Sequence, residues 1–279
     1  MTRFLVATAI APLALLSMPA AAQDAPDDNI LDRDHLTVGV GAVYGPSYDG
    51  SDDYVVSPIP VVQGQVMGVQ ISPRVGGVAL DVIPDGENAK VGFALGPVAN
   101  VSFNRNRQIQ DRVVRAAGKL DAAVELGVSG GISFNHLLND YDSLTVSTDV
   151  KWDVSAYKGM TWQPAISYVT PLSPAVLVTL NVNARHVDDD FAQYYYSVTP
   201  DQAARSGLPQ YQAKGGWDSV GGGLLVGWDL SGDMRDGGFA LFGVASYSRM
   251  LNDGKDTPFT AIRGDADQWV FGGGVAYTF

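Results

Sequence analysis

Between His35 and Phe279 the chain alternates apolar and polar residues over long segments. In 91–104, Val91, Phe93, Leu95, Ala99, Val101 and Phe103 fall on one side of a period of two, with Asn100, Ser102 and Asn104 on the other. In 121–135, Val124, Leu126, Val128, Ile132 and Phe134 oppose Asp121, Glu125, Ser129, Ser133 and Asn135. In 144–154, Leu144, Val146, Val150, Trp152 and Val154 oppose Thr145, Ser147, Asp149, Lys151 and Asp153. In 176–185, Val176, Val178, Leu180 and Val182 oppose Thr179, Asn181, Asn183 and Arg185. A period of two is a β-strand with its faces on opposite sides. Runs of about 10 to 14 residues exceed the usual 5 or 6 of soluble strands. In a transmembrane barrel the apolar face meets lipid and the polar face the lumen. A soluble sandwich would show the same alternation with its apolar face turned inward.

The last strand bears on that choice. Trp269, Phe271, Gly273, Val275, Tyr277 and Phe279 share one face, with aromatics at both ends. That spacing fits a membrane-crossing strand with two aromatic girdles. Trp269, Phe271, Tyr277 and a final Phe279 also have the form of a signal read by barrel-assembly machinery.

The pattern predicts an all-β transmembrane antiparallel barrel of about twelve strands: 35–43, 54–65, 68–83, 91–104, 121–135, 143–154, 161–170, 175–187, 191–197, 217–230, 238–250 and 267–279. Losing 68–83, which Pro73 interrupts, and the short 191–197 would leave ten. If the first strand runs outward, 44–53, 84–90, 136–142, 171–174, 198–216 and 251–266 are external, whereas 105–120 and 231–237 share the periplasmic side with Phe279.

Ahead of the strands, Arg3, the apolar run Phe4–Leu16 and Ala20-Ala21-Ala22 make 1–22 a cleavable signal peptide. No cysteine follows the junction, so no lipid anchor is expected. Residues 23–34, polar and acidic, form a lead-in expected to be disordered, and 35–279 the barrel domain. Export with no later apolar run of about 18 residues leaves a soluble secreted protein or a barrel in the outer membrane.

Composition agrees. Hydrophobic residues make up 46% of the chain, yet mean hydropathy is only +0.04, as alternation requires. Net charge is −12, or −13 without Arg3, which argues against nucleic acid as a partner. The 105–120 segment departs from this acidity: Arg105, Arg107, Arg112, Arg115 and Lys119 are 5 of the chain's 18 basic residues. It is a candidate periplasmic docking turn for an acidic partner or the anionic cell wall, set against an ordinary solvated turn or one lying beside lipid phosphates.

No catalytic, cofactor or metal constellation stands out. His186 precedes Asp188-Asp189-Asp190, an arrangement read as a solvated turn, not an Asp–His pair. Asp49-Gly50-Ser51-Asp52-Asp53 lacks the ligand spacing and terminal Glu of a calcium loop. The triplets 221–223 and 272–274 lie inside strands, where missing side chains permit curvature or leave lumen space. Glu125, Asp149, Lys151, Asp153 and Arg185 form a candidate lumen charge cluster. Lys151 and Arg185 are expected to pair with the three carboxylates, either as an electrostatic plug or along a wetted pore.

Residues 191–211, FAQYYYSVTPDQAARSGLPQY, closely resemble the hallmark of the MltA-interacting protein (MipA/OmpV) family: a Tyr-Tyr-Gly-Val-like strand end, a short helical stretch, then Ser-Gly-Leu and a Tyr. Ser197 stands where glycine is usual. Val38–Ala42 with Pro46, Tyr48 and Gly50-Ser51, and Asp265–Tyr277, look like the opening hairpin and closing strand of that family. The resemblance implies an outer-membrane barrel without enzymatic activity. It implies a scaffold joining a lytic transglycosylase to a penicillin-binding protein; other members are linked to osmotic or antibiotic stress and to adhesion. A small-solute or stress-response pore is the alternative.

Overall fold

The computed structural model describes residues 29–86 and 89–279; the expected signal peptide, 1–22, and the first half of the lead-in, 23–28, lie outside them. Twelve antiparallel strands close into a barrel. They are β1 (His35–Pro46), β2 (Tyr54–Val66), β3 (Val69–Arg74), β4 (Gly77–Asp81), β5 (Val91–Ser102) and β6 (Ala123–Asn135). β7 (Ser143–Asp153), β8 (Met160–Ser173), β9 (Val176–Val187), β10 (Gly216–Asp229), β11 (Gly238–Met250) and β12 (Asp267–Thr278) complete it. Each strand pairs with its sequence neighbours, and β1 closes on β12 from Thr37–Thr278 to Tyr44–Phe271.

The alternation sorts side chains as the sequence predicts. Val40, Phe93, Leu126, Val128, Leu180, Val182, Phe271 and Val275 point outward and are exposed although apolar. Such a band is stable only against lipid. Trp269 and Tyr277 mark opposite ends of β12 on this face, in contact with Tyr247 and with Phe239. No described helix is long and apolar enough to cross a membrane.

The strand number matches the expectation, but two segments differ from it. Residues 68–83 form two strands, because the chain reverses at Val75-Gly76; Gly76 has φ +74° and accepts from the Val101 amide, 2.9 Å. Residues 191–197 are not a strand. Asp189–Tyr196 is helix α2, capped by the Asp188 carboxylate on the Phe191 amide, 3.0 Å, with Asp189 and Asp190 in its first turn. A cap and acidic residues at the positive helix end favour the helix. They outweigh the strand preference of Phe191 and three tyrosines.

The added strand and the lost strand cancel in the count but reverse chain direction between them. Connections 82–90, 136–142 and 174–175 therefore lie at the end carrying His35 and Phe279, not at the opposite end. The 103–122 connection moves the other way. It sits with 47–53, 154–159, 188–215 and 251–266 at the end remote from both termini. Residues 231–237 stay at the terminus end, as expected.

Candidate functional site: a capped lumen

Alternation along β6, β7 and β9 turns Glu125, Ser129, Asp149, Lys151, Asp153 and Arg185 into the lumen, and cross-strand register decides which meet. Gly127 opposes Lys151, which lets the ammonium reach Glu125 on the same strand at 3.0 Å. Tyr157, from the 154–159 turn, donates its hydroxyl to the same carboxylate. Glu125, Lys151 and Tyr157 are all buried, so their mutual pairing offsets the cost of removing charge from water.

The other three expected members have different partners. Asp149 binds Arg74, 2.7 Å, which crosses the lumen from β3 and also reaches the Ser129 hydroxyl, 3.2 Å. Asp153 meets no cation among the described residues. Its carboxylate accepts from the Ala156 and Lys158 amides, 2.5 and 2.9 Å, and shapes the 154–159 turn. Arg185 forks onto Asp218 through Nε and Nη2, 3.0 and 2.8 Å, reaches Asp49 at 2.9 Å, and lies 5.2 Å over the Phe191 ring. Tyr196 adds its hydroxyl to Asp218, 2.6 Å. The expected pairing thus holds for Lys151 with Glu125 and fails for Arg185, because Asp218 and Asp49 lie nearer the rim, where Arg185 sits two residues before the end of β9.

Above this network the connections fold into a cap. It comprises α1 (Arg112–Ala117), α2, α3 (Pro200–Ser206), α4 (Asn252–Asp256) and α5 (Pro258–Ala261). One apolar cluster joins Phe191, Ala192, Tyr195, Tyr196 and Ala213 to Tyr157 and to Ala123, Val187 and Met250 on three strands. A second joins Tyr48, Ile109, Val114, Ala117, Val198, Leu208 and Phe259 from four connections. The apolar core of this protein is therefore in the cap, spanning the barrel mouth. α3 begins with a capping box between Thr199 and Gln202, Pro200 at its first turn, and ends on Gly207. The helical stretch expected after Pro200 is therefore present.

The basic turn belongs to this cap. Arg105 is 2% exposed; its guanidinium stacks 3.7 Å from the Phe259 ring centre and donates to the Tyr195 carbonyl, 2.8 Å. One side chain thus ties three connections together. Burial pulls its pKa down to about 10, so it stays charged at neutral pH. Arg107 stacks on Phe103, 4.2 Å, while Arg112, Arg115 and Lys119 are exposed. A docking turn on the side of Phe279 is therefore corrected on two counts: the segment lies at the opposite end, and its first arginine is internal.

Asp111 caps α1 through the Val113 and Val114 amides, both 2.8 Å, and binds Arg263. Burial opposes its ionisation, but the Arg263 hydrogen bond and the two amides hold its carboxyl below the usual range. The stabilisation is complete above the unfolded carboxylate pKa, about 3.9, and is lost as pH falls through the lower folded value. Protease cleavage within 103–122 is expected to rise below about pH 4, a step that Asp111→Ala should lack because it is already loosened at neutral pH.

His186 lies on the lipid face between Trp162 and Trp217, 6.3 and 5.4 Å between ring centres. It belongs to the aromatic girdle; Asp188 serves the α2 cap and the Met160 amide instead. No group of three potential metal ligands occurs among the described residues. The closing strand shows what its glycines do. A Cβ on Gly274 or Gly41 would fall 2.6 or 2.8 Å from the Phe242 ring tip, so these positions make room for a lumen aromatic.

The sequence reading missed Arg74, Asp49, Asp218, Tyr157 and Tyr196. A signal existed for Arg74, since Pro73 and Gly76-Gly77 break 68–83, and for Tyr196, since three aspartates precede the aromatic run. Asp49 and Asp218 required the three-dimensional path of β9.

Solved structures similar in fold include an outer membrane channel from Pseudomonas putida F1, 14% identical, covering 92% of this chain and 100% of that one, TM-score 0.45. Others are OprD from Pseudomonas aeruginosa, 11% identical, covering 89% and 66%, TM-score 0.36, and an anion-selective porin from Comamonas acidovorans, 10% identical, covering 88% and 98%, TM-score 0.37. No curated protein matches the sequence. The family model described as MltA-interacting protein MipA matches residues 38–279. With its barrel, lipid-facing band and that match across nearly all of the strands, the chain belongs to the MltA-interacting protein family of outer-membrane barrels.

Proposed function

We propose that this protein is a non-enzymatic docking barrel for periplasmic murein enzymes, presented from its terminus end. The observation that carries the reading is the cap, whose packed aromatic core spans the other mouth. A barrel closed this way suits attachment better than free permeation. The family description, which names interaction with MltA, supports the choice of partner. Bacterial barrels keep short turns on the periplasmic side and long loops outside. The long connections 103–122, 188–215 and 251–266 belong to the cap, so the cap faces outward. Docking then falls to 82–90, 136–142 and 230–237. Asp85, Asp140, Asp233 and Asp236 outweigh Lys90 and Arg235 there, which fits a basic partner surface.

In a pull-down with an MltA-type lytic transglycosylase, the intact barrel is expected to capture the enzyme. Shortening 82–90, 136–142 and 230–237 to tight turns should abolish capture, and replacing 188–215 should leave it intact. Capture that survives loss of all three terminus-end connections would sink the assignment.

A small-solute pore is the second reading. It is favoured by Gly221 and Gly223, which face the lumen from β10 without side chains, whereas Gly41 and Gly274 give their space to Phe242. Planar-bilayer recording separates the two: steady, ion-selective openings of the intact protein would favour the pore.

A further inference from the structure

The β2–β3 ladder is short. The strands pair at Gly64–Ile71, Gln65–Gln70 and Val66–Val69 and then diverge. Continued register would set Val62 opposite Pro73, which has no amide to donate. The fork leaves a cleft of about 290 Å³ at the terminus end, lined by Leu31, His35, Gln63, Gly64, Gln65 and the 70–73 segment. That volume is at the small end of ligand sites. Gly64 forms part of its wall at φ +145°; a Cβ there would fall 2.3 Å from the His35 carbonyl.

The chemistry of the cleft is uniform. Gln63 and Gln65 alternate with outward residues on β2. Gln70 and Ser72 share the β3 face from which Arg74 crosses the lumen to Asp149, so they too turn inward. The three carboxamides make no side-chain hydrogen bond among the described residues, although each can both donate and accept. Arginine, lysine, aspartate and glutamate are absent from the lining, whereas Leu31 supplies apolar surface; Ile71 and Pro73 alternate to the outer face of β3. Uncharged donors and acceptors beside an aliphatic patch match a neutral ligand bearing hydroxyl and amide groups on a C–H framework. An anion finds no guanidinium or ammonium there.

An extended peptide adding to the free edge of β2 fits less well. Val56 turns its carbonyl away from β1 to the Gln108 side chain, 3.5 Å. By the alternation of strand groups, Pro58 and Pro60 face the same way and offer no donor.

We propose that the β2–β3 fork is a binding site for a neutral glycan segment carrying hydroxyl and acetamido groups. This goes beyond the docking function and does not depend on an enzyme partner, since glycan binding and enzyme capture are measured separately. The test uses the full barrel in an amine-oxide detergent, which carries no sugar, with tetra-N-acetylchitotetraose as probe. Saturation-transfer NMR should show contact at the acetamido methyl and ring protons, and titration should give weak, saturable binding. Gln63→Ala/Gln65→Ala/Gln70→Ala should weaken it at least tenfold while retaining the gel mobility of a folded barrel. Gln110→Ala, in the cap, should bind as the parent does. If the triple variant loses the folded mobility, the single Gln70→Ala variant replaces it, with a loss of at least threefold expected. No saturable binding by the parent, unchanged binding by the folded variants, or binding of an extended peptide in place of the glycan would each overturn the proposal.

Discussion

Replacing 188–215 with a short Gly-Ser turn between Val187 and Gly216 is expected to turn a silent barrel into one with discrete conductance steps. The segment supplies Phe191, Ala192, Tyr195, Tyr196 and Ala213 to one apolar cluster and Val198 and Leu208 to the other. Without it, neither cluster keeps enough apolar surface to hold the remaining connections over the mouth. Beneath, Gly221 and Gly223 leave that stretch of β10 without side chains in the lumen. A milder version tests the same point. Phe191→Ala removes a buried ring and should cost the cap roughly 3–5 kcal/mol, seen as brief openings over a closed baseline. An excised barrel that inserts normally and stays silent would show that the lumen network, not the cap, makes the closure.

The second large effect is expected at Asp218. Its buried carboxylate receives Arg185 and the Tyr196 hydroxyl, and so fixes α2 to β9 and β10. Among the described residues, Asp218→Ala leaves Arg185 with Asp49 as its one carboxylate partner, and Asp49 is itself partly exposed. Losing one partner of a buried pair costs on the order of 3 kcal/mol or more, largely because the other charge stays desolvated. Urea unfolding followed by tryptophan fluorescence should show the loss as a lower midpoint. Asp218→Ala combined with Arg185→Met should recover most of it, since the charge then left without its partner is Asp49, which is partly exposed to water. A double variant no better than the single would place the effect in lost packing.

Much of this barrel was legible from period two alone. The outward and inward faces of β5, β6, β7 and β9 follow from alternation, because one face meets lipid and the other water. The Glu125–Lys151 pair was within reach for the same reason. What alternation does not carry is chain direction. A hairpin hidden at Val75-Gly76 and a helix of aromatic residues at 189–196 leave the strand number at twelve while inverting every connection between them. That inversion moved Arg105 from a periplasmic turn to the inside of the cap. The cap itself was illegible, since its clusters join residues as distant as Tyr48 and Phe259. Such contacts depend on barrel closure, which brings β1 beside β12.

The short β3–β4 hairpin has a consequence for the surrounding membrane. Its strands have 6 and 5 residues, below the roughly 9–11 that span a bilayer. Six places around the ring, β9 and β10 have 12 and 14. The hydrophobic belt is thus low on one flank and tall on the opposite one. A bilayer of even thickness can match such a belt only if the barrel leans or if the lipid thins beside the hairpin. Either response gives this round protein a front and a back within the plane of the membrane. The front is the β2–β3 fork, so neighbours that prefer thinned lipid would gather beside it.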